Sequence, residues 1–535
     1  MSSDIINAEV IIIGSGIAGA MAAYSLAKKG IKVIILEAGP RIDRAAVVHK
    51  FTQSYKFDFS SGYPNEDWAP RPDWDATEKP YFEHIGPVQA KMEYLRLVGG
   101  TTWHWSGFTP RLRPEDMKLK STYGVGIDWP FDYAELEPFY CLAEKEMGVA
   151  GNNNDPHLPP RSQPFPLPPI PHSYSDKIIA PALEKIGIAL SSPPAARNSH
   201  AYDGRSQCMG FGTCSPICPS GAQYSASVHV GKAEKLGVHV LENTRVDRVV
   251  ADAAGNIKEV IAHKPDGSEV IARGSIFLLA ANGIESPKLL LMSADEHHTK
   301  GLANSSGHVG RYFFEHPSMV CRLIMPVPVY PRGPEVTMGS NTFCHGDFRK
   351  KHTGYSFGIH NFPHHHEATD YLLAKGAVPP ELDSAIRDRV SRMIDMNTQM
   401  EQLPREENGI TLDWTRKDRA GQPMVKHYYS YTDYERAGFD HARKTFTNIA
   451  TALNAELLSI DEPVVSHHPF GMAMMGGDKK NSVVDPHCRS HDHKNLFIVG
   501  MAVFPSCGMS SPSLTIAALA IRAAEEIALQ LKDKG

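Results

Sequence analysis

The stretch Glu9-Val-Ile-Ile-Ile-Gly14-Ser-Gly16-Ile-Ala-Gly19, continuing through an alanine-rich run to Lys29 and then Ile31-Lys-Val-Ile-Ile-Leu-Glu37, decides the fold. Val10 to Ile13 are apolar and β-branched, the composition of a strand buried on both faces. They lead straight into the three glycines. The alanine-rich run reads as a helix, and Ile31 to Leu36 as a second buried strand. This is the β-α-β setting in which G-x-G-x-x-G binds a dinucleotide. Gly14 permits the tight turn, Gly16 lets the backbone approach a pyrophosphate, and Gly19 lets the helix pack close to the strand. The free N–H groups at the helix start face the phosphates. Glu37, at the end of the second strand, is placed to accept hydrogen bonds from the adenosine ribose hydroxyls.

The same stretch offers a competing reading. Val10 to Ala27 carries no charge over 18 residues, long enough to suggest a membrane span or the apolar core of an export signal. The residues ahead of it include Asp4 and Glu9 and no Lys or Arg, so the positive flank of a signal is missing. The glycine spacing favours the nucleotide site. The chain by itself is expected to be soluble, with no span of its own.

The whole chain has 535 residues, 42% hydrophobic and 21% charged, which suits a globular protein and excludes disorder, collagen and coiled coil for its bulk. That length accommodates three or four domains or one large two-lobed enzyme. The formal net charge of −5 with no basic block leaves no electrostatic footprint for a nucleic-acid partner. Eight cysteines are too few for a disulfide scaffold, so their spacing matters more than their number.

Two further segments extend the nucleotide site. Gly99-Gly100-Thr101-Thr102-Trp103-His104-Trp105 is a second glycine turn with polar side chains, suited to lie along a pyrophosphate and a ring. Near the C-terminus, Asn495-Leu-Phe-Ile-Val499-Gly500 is another short buried strand. Phe504-Pro505 and an amphipathic helix from Leu514 follow it. A strand, loop and helix returning to the first domain would cover the far side of a flavin.

Three cysteines stand apart from the rest. Cys208, Cys214 and Cys218 form C-x5-C-x3-C on a Gly/Pro-rich loop, with Pro219 after the last. Three thiolates can converge on one soft metal centre, and proline after the last ligand also occurs in ferredoxin-type runs. A cubane and a structural zinc each want four ligands, so three suit a [3Fe–4S] cluster or a centre completed by another group. A zinc knob and free thiols remain the alternatives. Cys141, Cys321, Cys344, Cys488 and Cys507 are scattered singly and read as buried small hydrophobes.

In order along the chain, these pieces resemble the glucose–methanol–choline (GMC) oxidoreductase family. The resemblance is carried by Gly14-Ser-Gly16-Ile-Ala-Gly19 with Glu37, the Gly99–Trp105 turn, Ala281-Asn282-Gly-Ile-Glu-Ser-Pro-Lys-Leu-Leu, Gly310-Arg-Tyr-Phe-Phe-Glu315-His316-Pro317, His468-Pro-Phe-Gly471, Val484-Asp485 and the closing Pro505 to Thr515 segment. It implies a two-lobed α/β flavoprotein. A Rossmann-like FAD domain would be built from residues 1–165, 225–317 and 456–535. A substrate domain with an antiparallel sheet would be built from 166–195 and 318–455, and the cysteine loop would span 196–224. The resemblance implies FAD held by Gly14, Gly16, Gly19, Glu37, Gly99, Gly100, Thr101, His104, Ala281, Asn282, Gly500 and Met501. In some members a histidine like His104 bonds covalently to the flavin; a non-covalent contact is favoured here.

Oxidising an alcohol on FAD requires a base for the hydroxyl proton, neutral at working pH, which favours histidine. The family places that base in H-x-x-G, and the register against Gly471 selects His468, leaving His467 to line the substrate pocket. A second family position, usually Asn or His, falls on Ser511. A hydroxyl there is shorter than an amide. Glu315-His316-Pro317 reads as a structural turn, and His364-His-His366 as a solvated loop.

The cysteine spacing is similar to that of the large subunits of bacterial membrane-bound FAD-dependent sugar dehydrogenases. This implies a [3Fe–4S] cluster on Cys208, Cys214 and Cys218 and a substrate that is a sugar, polyol, sugar acid or glycoside. Electrons would leave through the cluster to a multihaem cytochrome c subunit and quinone. It also implies a small chaperone-like subunit whose twin-arginine signal exports the pair, placing the complex on the periplasmic face of the inner membrane. A soluble GMC oxidase and a glycoside 3-dehydrogenase with another acceptor are the competing expectations.

Overall fold

The structure is a computed structural model that describes residues 4–54, 62–72, 80–465 and 467–533. The opening motif forms as its composition demands. Strand Asp4–Ile13 buries Val10 to Ile13 almost completely, helix Ile17–Ala27 packs over it, and strand Val33–Leu36 returns beside it in parallel. Burying each of these aliphatic side chains contributes roughly 1.5–3 kcal/mol, so the motif is also the seed of the main hydrophobic core.

The first sheet runs His239–Leu241, Val33–Leu36, Asp4–Ile13, Glu269–Leu279, Ile257–His263, Arg245–Ala251. Strand Glu269–Leu279 is long enough to serve two neighbours on one edge. Its first half pairs antiparallel with Ile257–His263. Its last residues pair in parallel with Leu496–Ile498. The closing helix Ser513–Lys532 packs on helix Ile17–Ala27 and is buried nearly continuously from Leu514 to Ala524. It is therefore a core helix more than an amphipathic one.

A second, antiparallel sheet of five strands runs Glu456–Ile460, Val320–Ile324, Met393–Met400, Tyr355–His360, Val336–Ser340. Glu456–Ile460 was expected in the nucleotide lobe. It pairs instead with Val320–Ile324, because Leu457 and its neighbours align with the Leu323 register. Side chains alternate across the sheet, as a pleated strand requires. Ile394, Met396 and Met400, with Tyr355, Phe357 and Ile359, pack against helices Asp433–Ala452 and Tyr174–Lys185. Ser356, His360, Asn397 and Gln399 turn to the other face, toward the nucleotide lobe. A third sheet joins Phe82–His84 to Gly409–Lys417 and Pro423–Tyr428. The five-stranded sheet forms the roof of the space facing the nucleotide lobe, and His427 lies in the third sheet and not in that roof.

Two readings of single residues change. His364 is the N-cap of helix His365–Ala374, so the tract begins a helix and is not a loop, while His365 and His366 are exposed to solvent. His364 is largely buried, with Nδ1 3.0 Å from Glu367 and Nε2 3.3 Å from Asp395. Those carboxylates draw it into the protein. Of the scattered cysteines, Cys321, Cys344, Cys488 and Cys507 are buried as expected. Cys141 is partly exposed and touches Glu137 and Arg111. No helix among the described residues is long and apolar enough to cross a membrane.

Candidate active site

Between the two sheets lies a cavity of about 510 Å³, a size typical of cofactor and ligand sites. Gly14, with φ +98°, makes the turn below it, where a β-carbon would stand 2.6 Å from the Ala280 oxygen. A β-carbon on Gly19 would overlap the Gly14 carbonyl, whereas one on Gly16 would meet no protein atom and would project into the cavity. The glycine loop is thus shaped for a group that the backbone approaches at Gly16.

Glu37 secures this loop. Its carboxylate accepts from Ser15 N–H at 2.9 Å, Ser15 Oγ at 2.6 Å and Gly39 N–H at 3.0 Å. Burial pushes its pKa up, and the Ser15 and Gly39 hydrogen bonds oppose that. Gly99 N–H donates to Ser15 Oγ at 3.1 Å, tying the second glycine turn to the first. Gly100 leads the short 3-10 helix Gly100–Trp103 over Gly16. Gly100, Thr101, His104, Ala281, Asn282, Gly500 and Met501 all line the cavity. Gly19 and Gly99 act from behind the wall. A β-carbon on Gly283 would overlap the Pro469 oxygen, and this close approach brings the His468 segment against the nucleotide loop.

His468 lines the cavity, and its Nδ1 lies 2.9 Å from Nδ1 of His316. His316 Nε2 lies 3.0 Å from the carbonyl of Gly508. A carbonyl only accepts, so His316 carries its hydrogen on Nε2, and its Nδ1 must accept from His468. This leaves His468 Nε2 without a hydrogen. Burial pushes the His316 pKa down to about 3. Burial first, then the His316 and His467 rings, hold His468 well below the usual imidazole value. Both rings are therefore neutral at pH 7. Buried Glu315 anchors the pair from below, accepting the backbone N–H of His316 at 2.6 Å and of His468 at 2.5 Å. Glu315-His316-Pro317 is thus more than a structural turn.

Ser511 also lines the cavity, and its Oγ donates to Gln399 Oε1 at 3.1 Å. Gln399 Nε2 donates to the Met509 carbonyl at 2.7 Å. On the same roof face, His360 Nε2 and Asn397 Oδ1 are 2.6 Å apart. His467 lines the cavity too, its Nδ1 3.5 Å from Glu93. Beneath the loop carrying Gly508 and Ser511, buried Arg349 pairs with Asp116 at 2.9 Å and with Glu401.

Sequence reasoning read Glu315 and His316 only as part of a structural turn, and did not single out Gln399, Asn397 or His360. The alternation of Asn397 and Gln399 with buried methionines was a readable signal. The role of His316 depends on Gly508, 192 residues away, and has no local signal.

The cysteine loop adjoins the cavity, which its Ser215 lines. Cys214 is buried, and Cys208 and Cys218 are partly exposed. Cys214 Sγ accepts the Glu335 N–H at 3.5 Å, and burial pushes its thiol up to about 12. Among the described residues, no group of three or more His, Cys, Asp or Glu is gathered to hold a metal ion. The three thiols are thus not brought together as a ligand set in this structure; Arg197 lies on the same loop. It is 1% exposed, with Nε and Nη1 lacking any hydrogen-bond partner.

Residues 168–318 and 404–520 match the family profiles described as GMC oxidoreductase, and residues 9–53 match one described as FAD dependent oxidoreductase. The chain is 37% identical to the fructose dehydrogenase large subunit of Gluconobacter japonicus, covering 99% of this chain and 100% of that one. It is 27% identical to a 2-methyl-1,2-propanediol dehydrogenase of Mycolicibacterium austroafricanum, over 100% and 97% of the two chains. It is 24% identical to the gluconate 2-dehydrogenase flavoprotein of Pantoea cypripedii, over 100% and 96%. In fold it is similar to the crystal structure of a pyridoxine 4-oxidase, with TM-score 0.64, 17% identity and coverage of 98% and 99%.

Proposed function

This chain belongs to the GMC oxidoreductase family, and we propose that it is the FAD-bearing large subunit of a dehydrogenase that oxidises a hydroxyl of a sugar, polyol, sugar acid or glycoside. The observation that carries the reading is the unprotonated Nε2 of His468, fixed by His316 and Gly508. FAD, when bound along Gly14, Gly16, Glu37 and the Gly100 turn, supplies the two-electron acceptor.

The protein's own part is the proton. His468 Nε2 takes it from the substrate hydroxyl, while Nδ1–H keeps its bond to His316. The Glu315 carboxylate, bonded to the backbone of both histidines, faces the positive charge that then forms on His468. Ser511 with Gln399, and Asn397 with His360, present polar atoms from the roof to orient the hydroxyl. Positioning of this kind is a large part of such a barrier.

Cys208, Cys214 and Cys218 would hold a [3Fe–4S] cluster, whose chemistry is one-electron transfer. That suits delivery to a separate electron carrier rather than to oxygen. The similarity to a protein named a large subunit supports the presence of a further subunit. The C-x5-C-x3-C spacing carries the cluster assignment and the companion proposals of a small subunit with a twin-arginine signal, a multihaem cytochrome c, and a site on the periplasmic face of the membrane.

The test is anaerobic bleaching of the flavin by a panel of fructose, glucose, sorbitol, gluconate, 2-ketogluconate and glycosides, with iron and sulfide analysis alongside. Bleaching by a member of the panel, with iron present, is expected. Zinc without iron would sink the cluster, and peroxide formation with rapid oxygen uptake would favour an oxidase.

A further inference from the structure

Strand Tyr355–His360 turns Ser356, Gly358 and His360 to the cavity, and the alternation carries past its end to Phe362. The Phe362 ring lies 5.3 Å from the His360 ring, tilted 39° to it. Phe362 lines the cavity yet is only half-buried, and Pro363 beside it is exposed, so the ring stands at the cavity mouth.

The chain is pinned on either side of this ring. Before it, buried Asn361 donates from its backbone N–H to the Glu335 carbonyl at 2.8 Å and from Nδ2 to the Pro334 carbonyl at 2.9 Å. Its Oδ1 accepts from Ser175 Oγ at 2.7 Å. After it, His364 is held between Glu367 and Asp395. A half-exposed ring fixed in this way loses little further freedom when a ligand covers it.

Beside the ring, His360 Nε2 meets Asn397 Oδ1 at 2.6 Å. An amide oxygen only accepts, so His360 donates from Nε2 and its Nδ1 is an acceptor, while the Asn397 amide keeps its N–H donors. Strand register joins these groups to the base. Asn397 lies opposite Val320, on the strand that follows His316-Pro317-Ser318. Thr398 N–H donates to the Met319 carbonyl at 2.9 Å, and Gln399 meets Ser511. The cavity wall is therefore a row of hydrogen-bonding groups that ends in a flat apolar ring. A cyclic sugar matches such a wall, because its axial C–H bonds form one apolar face and its hydroxyls project from the rim. An open-chain polyol or sugar acid has no fixed face of that kind.

We propose that Phe362 is the stacking platform for the C–H face of a ring-form sugar, so that the site selects cyclic sugars and glycosides over open-chain polyols and sugar acids. The proposal deepens the dehydrogenase reading and rests on it. His360 and Asn397 take hydroxyls on the rim of the stacked ring. A contact remote from the reacting carbon holds substrate and transition state alike, so it acts on KM and not on kcat.

The test is anaerobic flavin reduction of the FAD-loaded protein by ring-form compounds (fructose, glucose, a methyl glycoside) and open-chain ones (sorbitol, gluconate). In Phe362→Ala, KM for a ring-form substrate is expected to rise about tenfold with kcat held within about twofold. Phe362→Tyr, which keeps the flat face, should stay within about threefold of the unmodified protein. An unchanged KM in Phe362→Ala overturns the proposal, and so does an equal rise for ring-form and open-chain substrates. If Phe362→Ala does not retain FAD, Phe362→Leu decides, since it keeps apolar bulk without a flat face: a raised KM for the ring-form substrate supports the platform and an unchanged one overturns it. Flavin reduction by open-chain compounds alone overturns the platform and leaves the dehydrogenase reading standing. Reduction by no compound of the panel defeats that reading and the platform with it, and is seen before any variant is made.

Discussion

The Nδ1 atoms of His468 and His316 lie 2.9 Å apart, and the Gly508 carbonyl behind them decides which ring donates. Neither ring can do this alone. A neutral imidazole has two tautomers of similar energy, and only the outer contact to an obligate acceptor removes one of them. His468→Ala should keep FAD and lower the rate of flavin reduction by substrate about 10²–10⁴-fold, as loss of a positioned base does. Stopped-flow absorbance checks this, and near-normal flavin reduction would remove His468 from the mechanism.

His316→Ala should act on the base through its orientation, with a loss of about a hundredfold. Its signature is in the pH profile. Burial, then His316 and His467, depress the His468 pKa, so the acid limb of kcat/KM should lie below the ordinary value of about 6.5. Without His316 the limb should move upward.

The same pair makes the fold pH-dependent. The folded-state pKa of His316, about 3, lies below its unfolded value. Between the two, the unfolded chain binds more protons. The stability held by the neutral ring is complete above about pH 6.5 and is lost as pH falls toward 3. Melting temperature should fall over that window, and less steeply in His316→Gln.

Ser511→Ala removes one hydrogen bond to Gln399, which itself is tied to Met509. A loss of about two- to tenfold in kcat/KM is expected. Gln399→Ala, which frees both partners, should lose more. Equal activity in both variants would place the hydroxyl-orienting group elsewhere on the roof.

Gly16→Val and Gly19→Val separate binding from folding. At Gly16 a side chain projects into open cavity, so the protein should fold and lose FAD. At Gly19 it would overlap the Gly14 carbonyl, so little folded protein is expected. Flavin absorbance and circular dichroism on the two variants give the answer.

Arg349→Met should lower stability by about 3–5 kcal/mol, since it leaves Asp116 and Glu401 buried with no cation. A melting curve reads the loss, and a change under about 1 kcal/mol would show that the site relaxes around the two carboxylates.

The nucleotide half of the site was legible because its chemistry is local. Gly14, Gly16, Gly19 and Glu37 act within one β-α-β unit, and their spacing alone encodes the turn and the strand end. The place of His468 in the cavity was legible through the family's H-x-x-G pattern in register with Gly471. The roof was not, because Asn397, Gln399 and His360 meet across strands whose pairing no local pattern specifies. His364 was misread for a related reason: its partner Asp395 is distant in sequence.

The long strand Glu269–Leu279 takes Asp4–Ile13 on one side and Leu496–Ile498 on the other, and helix Ser513–Lys532 lies on helix Ile17–Ala27. Segments far apart in the chain thus supply two walls of one cavity, the glycine loop giving one and Gly500, Met501 and Ser511 another. Neither wall makes the cavity alone, so losing the pairing of Leu496–Ile498 with Glu269–Leu279 would open it.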